Sequence, residues 1–137
     1  MGLDMTLHVI EEEEMTSELL AEQDYEYWAK GEHFYWRKAN SIHNWFVKNV
    51  QGGTDDCGIY EVTFDQLMSL KSRVASVLAD NRKGPELLPT TAGFFFGSTE
   101  YDDFYLEDMV ETLNHLSECE KIHSNNPSVK FFYSSSW

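Results

Sequence analysis

The sequence predicts an α+β domain, a small and mostly antiparallel sheet with about three helices. Three observations carry this. Apolar and polar residues alternate near both ends of the chain. Stripes at helical spacing lie between them. The strand-like runs are few and scattered.

Leu3, Met5, Leu7 and Val9 alternate with Asp4, Thr6 and His8, so residues 2–10 read as a strand. Glu11 to Glu14 break it with a charge run. Within 15–30, Leu19, Leu20 and Gln23 suggest a short helix that Gly31 ends. From Glu32 to Val50, Trp36, Ala39, Ile42, Phe46 and Val50 recur at helical intervals, and Gln51-Gly52-Gly53 stops that helix. Ile59 to Val62 make a short strand. Thr63 and Gln66 form a capping box for a helix over 64–81, with Leu67, Val74 and Val77 in its stripe. Gly84-Pro85 and Pro89 mark a long loop. Phe94 to Phe96 read as a short buried strand or turn. Thr99 with Asp102 suggests a second capping box, opening a helix over 102–122 striped by Leu106, Met109, Leu113 and Leu116. Val129, Phe131 and Tyr133 alternate in a last strand. The two terminal strands are short and amphipathic, so each needs a sheet partner, and they are expected to lie side by side.

The chain has 137 residues, enough for one self-sufficient core, and 1–137 reads as a single domain. The net charge is −14, which excludes a nonspecific grip on nucleic acid as the main activity. The charge is uneven. Residues 1–32 carry −9, residues 33–83 carry +2 and residues 84–137 carry −7, so the middle third is where an anion meets least repulsion. No apolar run approaches membrane-span length, which leads to the expectation of a cytoplasmic protein with no membrane partner. Cys57 and Cys119 give no disulfide framework. The carboxylates beside Cys57 would weaken its thiolate, so a structural role is expected. The five histidines show no metal-ligand spacing, and no metal or cofactor is expected.

The segment 35–45 is the richest in recognition chemistry. On a helix, Trp36, Asn40 and His43 would share one face, with Arg37 beside them. A flat ring, an amide and an imidazole can stack against and hydrogen-bond a base or ribose, and a guanidinium can hold a phosphate. The structural alternative makes Trp36 and His43 core residues and pairs Arg37 with an acidic flank. Ser98, Glu100 and Tyr101 precede a helix whose first turn is acidic, which suits a hydroxyl or an amine better than a phosphate. Trp137 would close a pocket with its ring, or plug the core.

Five blocks also carry a resemblance: GLDM at 2–5, YWRKANSIHNWF at 35–46, DDCGIY at 55–60, LLPTTAGFFFGSTEYDD at 87–103 and the final SSW. Together they resemble a family of small proteins found in bacteriophages and prophage-like regions. The resemblance implies an accessory protein acting in the bacterial host cytoplasm, and it implies no activity. In that setting the residues suggest a binding protein, not an enzyme. It would capture a nucleotide-derived small-molecule signal of the host, as an anti-defence device, through Trp36, Arg37, Asn40, His43, Ser98, Glu100, Tyr101 and Trp137. The alternatives are an acidic inhibitor that binds a host nucleic-acid-acting enzyme, and a nucleotide-processing enzyme with His43 or an acid as general base. Self-association into a homo-oligomer is left open.

Overall fold

The alternation near the start of the chain becomes β1 (Asp4–Glu11), and that at its other end becomes β4 (Val129–Ser136). The two pair antiparallel, with Leu7 opposite Tyr133 and Met5 opposite Ser135. In the computed structural model, which describes residues 2–11, 32–93 and 96–137, β2 (Glu32–Arg37) and β3 (Ile59–Val62) complete a four-stranded antiparallel sheet in the order β2-β1-β4-β3. The helices are α1 (Asn40–Asn49), α2 (Phe64–Ala79), the single-turn α3 (Gly84–Leu87) and the long α4 (Asp103–Asn125). This is the α+β arrangement expected. The short helix suggested within 15–30 lies outside the described residues, as do Phe94 and Phe95.

The pleat decides which side chains meet the helices. Met5, Leu7, Val9, Trp36, Val62, Phe131 and Tyr133 fall on one face and join Ile42, Phe46, Leu67, Val74, Met109 and Leu116 in one buried core. Leu106 and Leu113 pack against it half-buried. The opposite face holds a smaller cluster of Ile10 and Phe132, with Ile59 against it. Among the described residues, no helix is long and apolar enough to cross a membrane.

The helix expected over 32–50 is in fact a strand, a corner and a helix. Phe34 pairs with Leu7 and Trp36 with Met5, so β2 continues the sheet. Lys38 then takes a left-handed conformation (φ 56°) while its N–H donates to the Leu3 carbonyl, 2.7 Å away. That corner aims the chain into α1. Trp36 and Ala39 keep helical spacing from Ile42 because all three reach the same core, not because they share a helix.

Two other boundaries differ. Residues 80–88 form a 3₁₀ turn and then α3, with Pro85 in its first turn where its missing N–H costs nothing. Gly84 is required there, because a Cβ would meet the Tyr105 hydroxyl at 2.9 Å. At α4, Asp102 is itself the cap, accepting from the Tyr105 N–H at 3.2 Å, whereas the Thr99 carbonyl accepts the Thr90 hydroxyl. The capping box of Thr63 and Gln66 forms as expected.

Candidate functional site

The eight residues singled out from the sequence do not converge on one pocket. Arg37, Asn40, Ser98 and Glu100 line one cavity, His43 and Trp137 line a second, and Trp36 and Tyr101 line neither. The buried amide of Asn40 donates to the carbonyls of Phe96 (3.2 Å) and Ser98 (2.8 Å), and its oxygen accepts the Thr91 N–H (3.0 Å). All three bonds go to backbone, so Asn40 pins Thr91, Phe96 and Ser98 onto the start of α1. It lines the first cavity and holds backbone of the second in place, and it is not a reader of base edges.

The first cavity, about 250 Å³, lies between the end of β2, the 97–102 segment and the first turns of α4. Arg37 and Lys38 stand on one side, with Ser98 and Glu100 beside them, and Asp102, Phe104, Glu107 and Asp108 come from the α4 side. Arg37 donates to Asp4 at 3.1 Å across an exposed pair, and Asp4 also accepts the Tyr35 hydroxyl. Such a surface pair holds its partners weakly, so the guanidinium is available to a stronger anion. The Lys38 ammonium has no partner among the described residues. Gly97 (φ +90°) lets the chain pass close to it, since a Cβ there would meet the Lys38 Cβ at 3.2 Å. Phe104 is 72% exposed on the α4 side.

Burial pushes the Asp108 carboxyl up to about 7, helped by repulsion from Glu111, Glu107 and Asp102. It therefore alternates between neutral and charged near neutral pH. Between its ordinary value of 3.8 and about 7, the folded chain holds a proton that the unfolded chain has released. Stability contributed by this group is complete at low pH and is lost as pH rises through about 7. Asp108→Asn is expected to stabilise the protein by about 1–2 kcal/mol at alkaline pH, solvent screening of the half-exposed group included, and by progressively less towards pH 4. Thermal unfolding across that range checks it. An equal gain at every pH would show that the carboxyl is not being held neutral.

The second cavity, about 390 Å³, is formed by α1 (His43, Asn44 and Val47), Asp55, Thr91, Ala92, Gly93, Phe96 and Trp137. His43 is fully buried and bonded on both ring nitrogens, with Nδ1 2.6 Å from the Tyr133 hydroxyl and Nε2 2.9 Å from Asp55 Oδ2. Burial, aided by the charges of Asp55 and Cys57, holds Tyr133 protonated well above the usual phenol range. The Asp55 carboxylate can only accept, so Nε2–H donates to it, and in that neutral tautomer Nδ1 accepts the Tyr133 O–H. The other oxygen of Asp55 accepts the Trp137 indole N–H at 3.0 Å.

Two expected site residues are placed elsewhere. Trp36 is fully buried in the core and donates to the Thr112 hydroxyl at 2.8 Å, so its ring cannot stack on a ligand. The Tyr101 hydroxyl accepts the Thr90 N–H at 3.1 Å and its ring rests on Tyr105, so it braces the loop. Arg37, Ser98 and Glu100 do line the first cavity, and His43 and Trp137 the second. No family model, curated protein or solved structure matches this chain.

The sequence reading missed Asp55, Phe104 and Asp108. Phe104 left a signal, being an aromatic among Asp102, Asp103 and Tyr105, off the apolar stripe of its helix. Asp108 left one too, because Asp102, Glu107 and Glu111 lie at the spacings that place them around it on α4. Among the described residues, no three or more acidic, His or Cys side chains are gathered as metal ligands, so the acidity of the first cavity does not point to a cation site.

Proposed function

We propose that the chain is a binding protein that holds a small nucleotide-derived molecule with a single phosphate in the first cavity. The observation that carries this is that Arg37 and Lys38, whose ammonium has no partner among the described residues, line one cavity with the exposed Phe104 ring. A phosphate suits the cations, a base suits the ring, and hydroxyls or amines suit Glu100, Glu107 and Asp108. Four carboxylates line the same space, so a polyphosphate would be repelled. The resemblance to phage proteins supports reading the ligand as a host signal, captured without chemistry. The enzymatic alternative with His43 as general base loses support because both of its ring nitrogens are already bonded.

Calorimetry with AMP, GMP, CMP and UMP tests the site, alongside mass spectrometry of molecules released from the purified protein. Arg37→Ala with Lys38→Ala is expected to weaken binding about tenfold or more, since charge-assisted bonds to phosphate are lost. Glu86→Gln, on α3, should change nothing. Absence of any bound mononucleotide at millimolar concentration, with nothing released from the protein, would sink the proposal. The acidic-inhibitor reading draws on a different feature, the exposed acids Asp103, Glu107 and Glu111 along α4. Protein binding through those would weaken steeply with salt, which a small-ligand cavity would hardly notice.

A further inference from the structure

In the second cavity, a chain of buried hydrogen bonds ends on an exposed ring. Tyr133 and His43 are both fully buried, on β4 and α1, and His43 fixes Asp55 in the loop before β3. Asp55 in turn fixes the indole N–H of Trp137, a residue that is 47% exposed. An exposed indole gains little stability from burial, and holding it still costs rotamer freedom. Here its orientation is set by three residues from three separate elements. The ring of Phe96 stands edge-on to it at 6.1 Å, and Val47 and Ala92 add apolar wall. The cavity, about 390 Å³, falls in the range usual for small-molecule sites.

We propose that this cavity is a second binding site, which takes a planar heteroaromatic ring bearing an amino group, packed against Trp137 and Phe96. A ring held in place before the ligand arrives loses less entropy on binding, and every nucleobase has a π-face to offer it. The amino group is specified by Asp55. Each carboxylate oxygen can accept more than one hydrogen bond, so Oδ1 and Oδ2 keep acceptor capacity after Trp137 and His43 are served. Tyr133, His43 and Asp55 are positioning residues for the ring, and Asp55 also touches the ligand. The proposal stands on this cavity alone and does not require a phosphate at Lys38.

The test is a titration of the full-length ¹⁵N-labelled chain with adenosine, a probe without phosphate. Trp137→Phe assigns the Trp137 indole N–H signal by its disappearance. Adenosine is expected to shift that signal saturably, and purine riboside, which lacks the amino group, to bind several-fold more weakly. Trp137→Ala, a change at an exposed ring, is expected to weaken adenosine binding about tenfold, as loss of a stacking platform does. The Ala92 amide signal follows binding in that variant. Glu86→Gln, outside both cavities, should leave adenosine binding unchanged. No shift of the Trp137 signal with millimolar adenosine, guanosine or cytidine would overturn the proposal, and so would equal affinity in Trp137→Ala. AMP binding no tighter than adenosine, with the Trp137 shift intact, would support this site and count against the phosphate anchor in the first cavity.

Discussion

Trp36→Ala is expected to cost about 3–5 kcal/mol of folding stability, a large share of the total for a domain of this size. The indole is fully buried, meets Phe46 and His115 edge-on at 6.1 Å and 4.9 Å, and donates to Thr112 at 2.8 Å. Alanine would leave a cavity between β2 and α4 and orphan the Thr112 hydroxyl as an acceptor. That hydroxyl keeps its own bond to the Asp108 carbonyl at 2.7 Å, so most of the loss is packing. Trp36→Phe keeps a ring in place and should cost less, about 1–3 kcal/mol. Urea unfolding measures both. If Trp36→Ala left stability unchanged and removed ligand binding, Trp36 would be a recognition residue after all and its placement in the core would be wrong.

His43→Ala has the second large effect expected, about 2–5 kcal/mol. The buried Tyr133 hydroxyl and one oxygen of Asp55 would each lose a partner, and unmade bonds at buried groups cost more than the bonds themselves contribute. The ring also packs on Phe96 edge-on at 5.4 Å and lies near Tyr133, so truncation removes contacts as well. Tyr133→Phe removes a single link and should cost less. The double variant should cost less than the two single losses added together, because both act on one network. Denaturant unfolding of the three variants checks this. Simple additivity, or a loss below about 0.5 kcal/mol for His43→Ala, would show that the network does not hold the fold together. A loss of binding in His43→Ala therefore needs the stability measurement beside it before it is read as a contact.

The same residues show what could be read in the chain. Period-two alternation placed β1 and β4 because a strand with one buried face writes its pattern directly into sequence. The need of each for a partner placed them together. The Thr63 and Gln66 box was legible because capping is chemistry within four residues. The failure at 32–50 has an equally local cause. Trp36 and Ala39 imitate a helical stripe, and the corner between strand and helix falls on Lys38, a residue with no special tendency toward the left-handed conformation it adopts. The interstrand pairing of Trp36 with Met5 decided that segment, and pairing across 31 residues leaves no trace in its own spacing.

The candidate site divides in the same way. The sequence by itself determined β1, β3, β4, α2 and α4, the sheet class, the acidic balance and the segments rich in recognition chemistry. Arg37, Ser98, Glu100, His43 and Trp137 all line cavities. Tertiary structure alone decided that Trp36 is core, that Asn40 is a pin between two cavities, and that Asp55 joins His43 to Trp137. The physical reason is that side-chain type fixes what a residue can bond to, whereas burial and hydrogen-bond partners depend on distances that only the folded chain sets. Asp55 and Trp137 are 82 residues apart in sequence and 3.0 Å apart in space, and no period or motif encodes that approach.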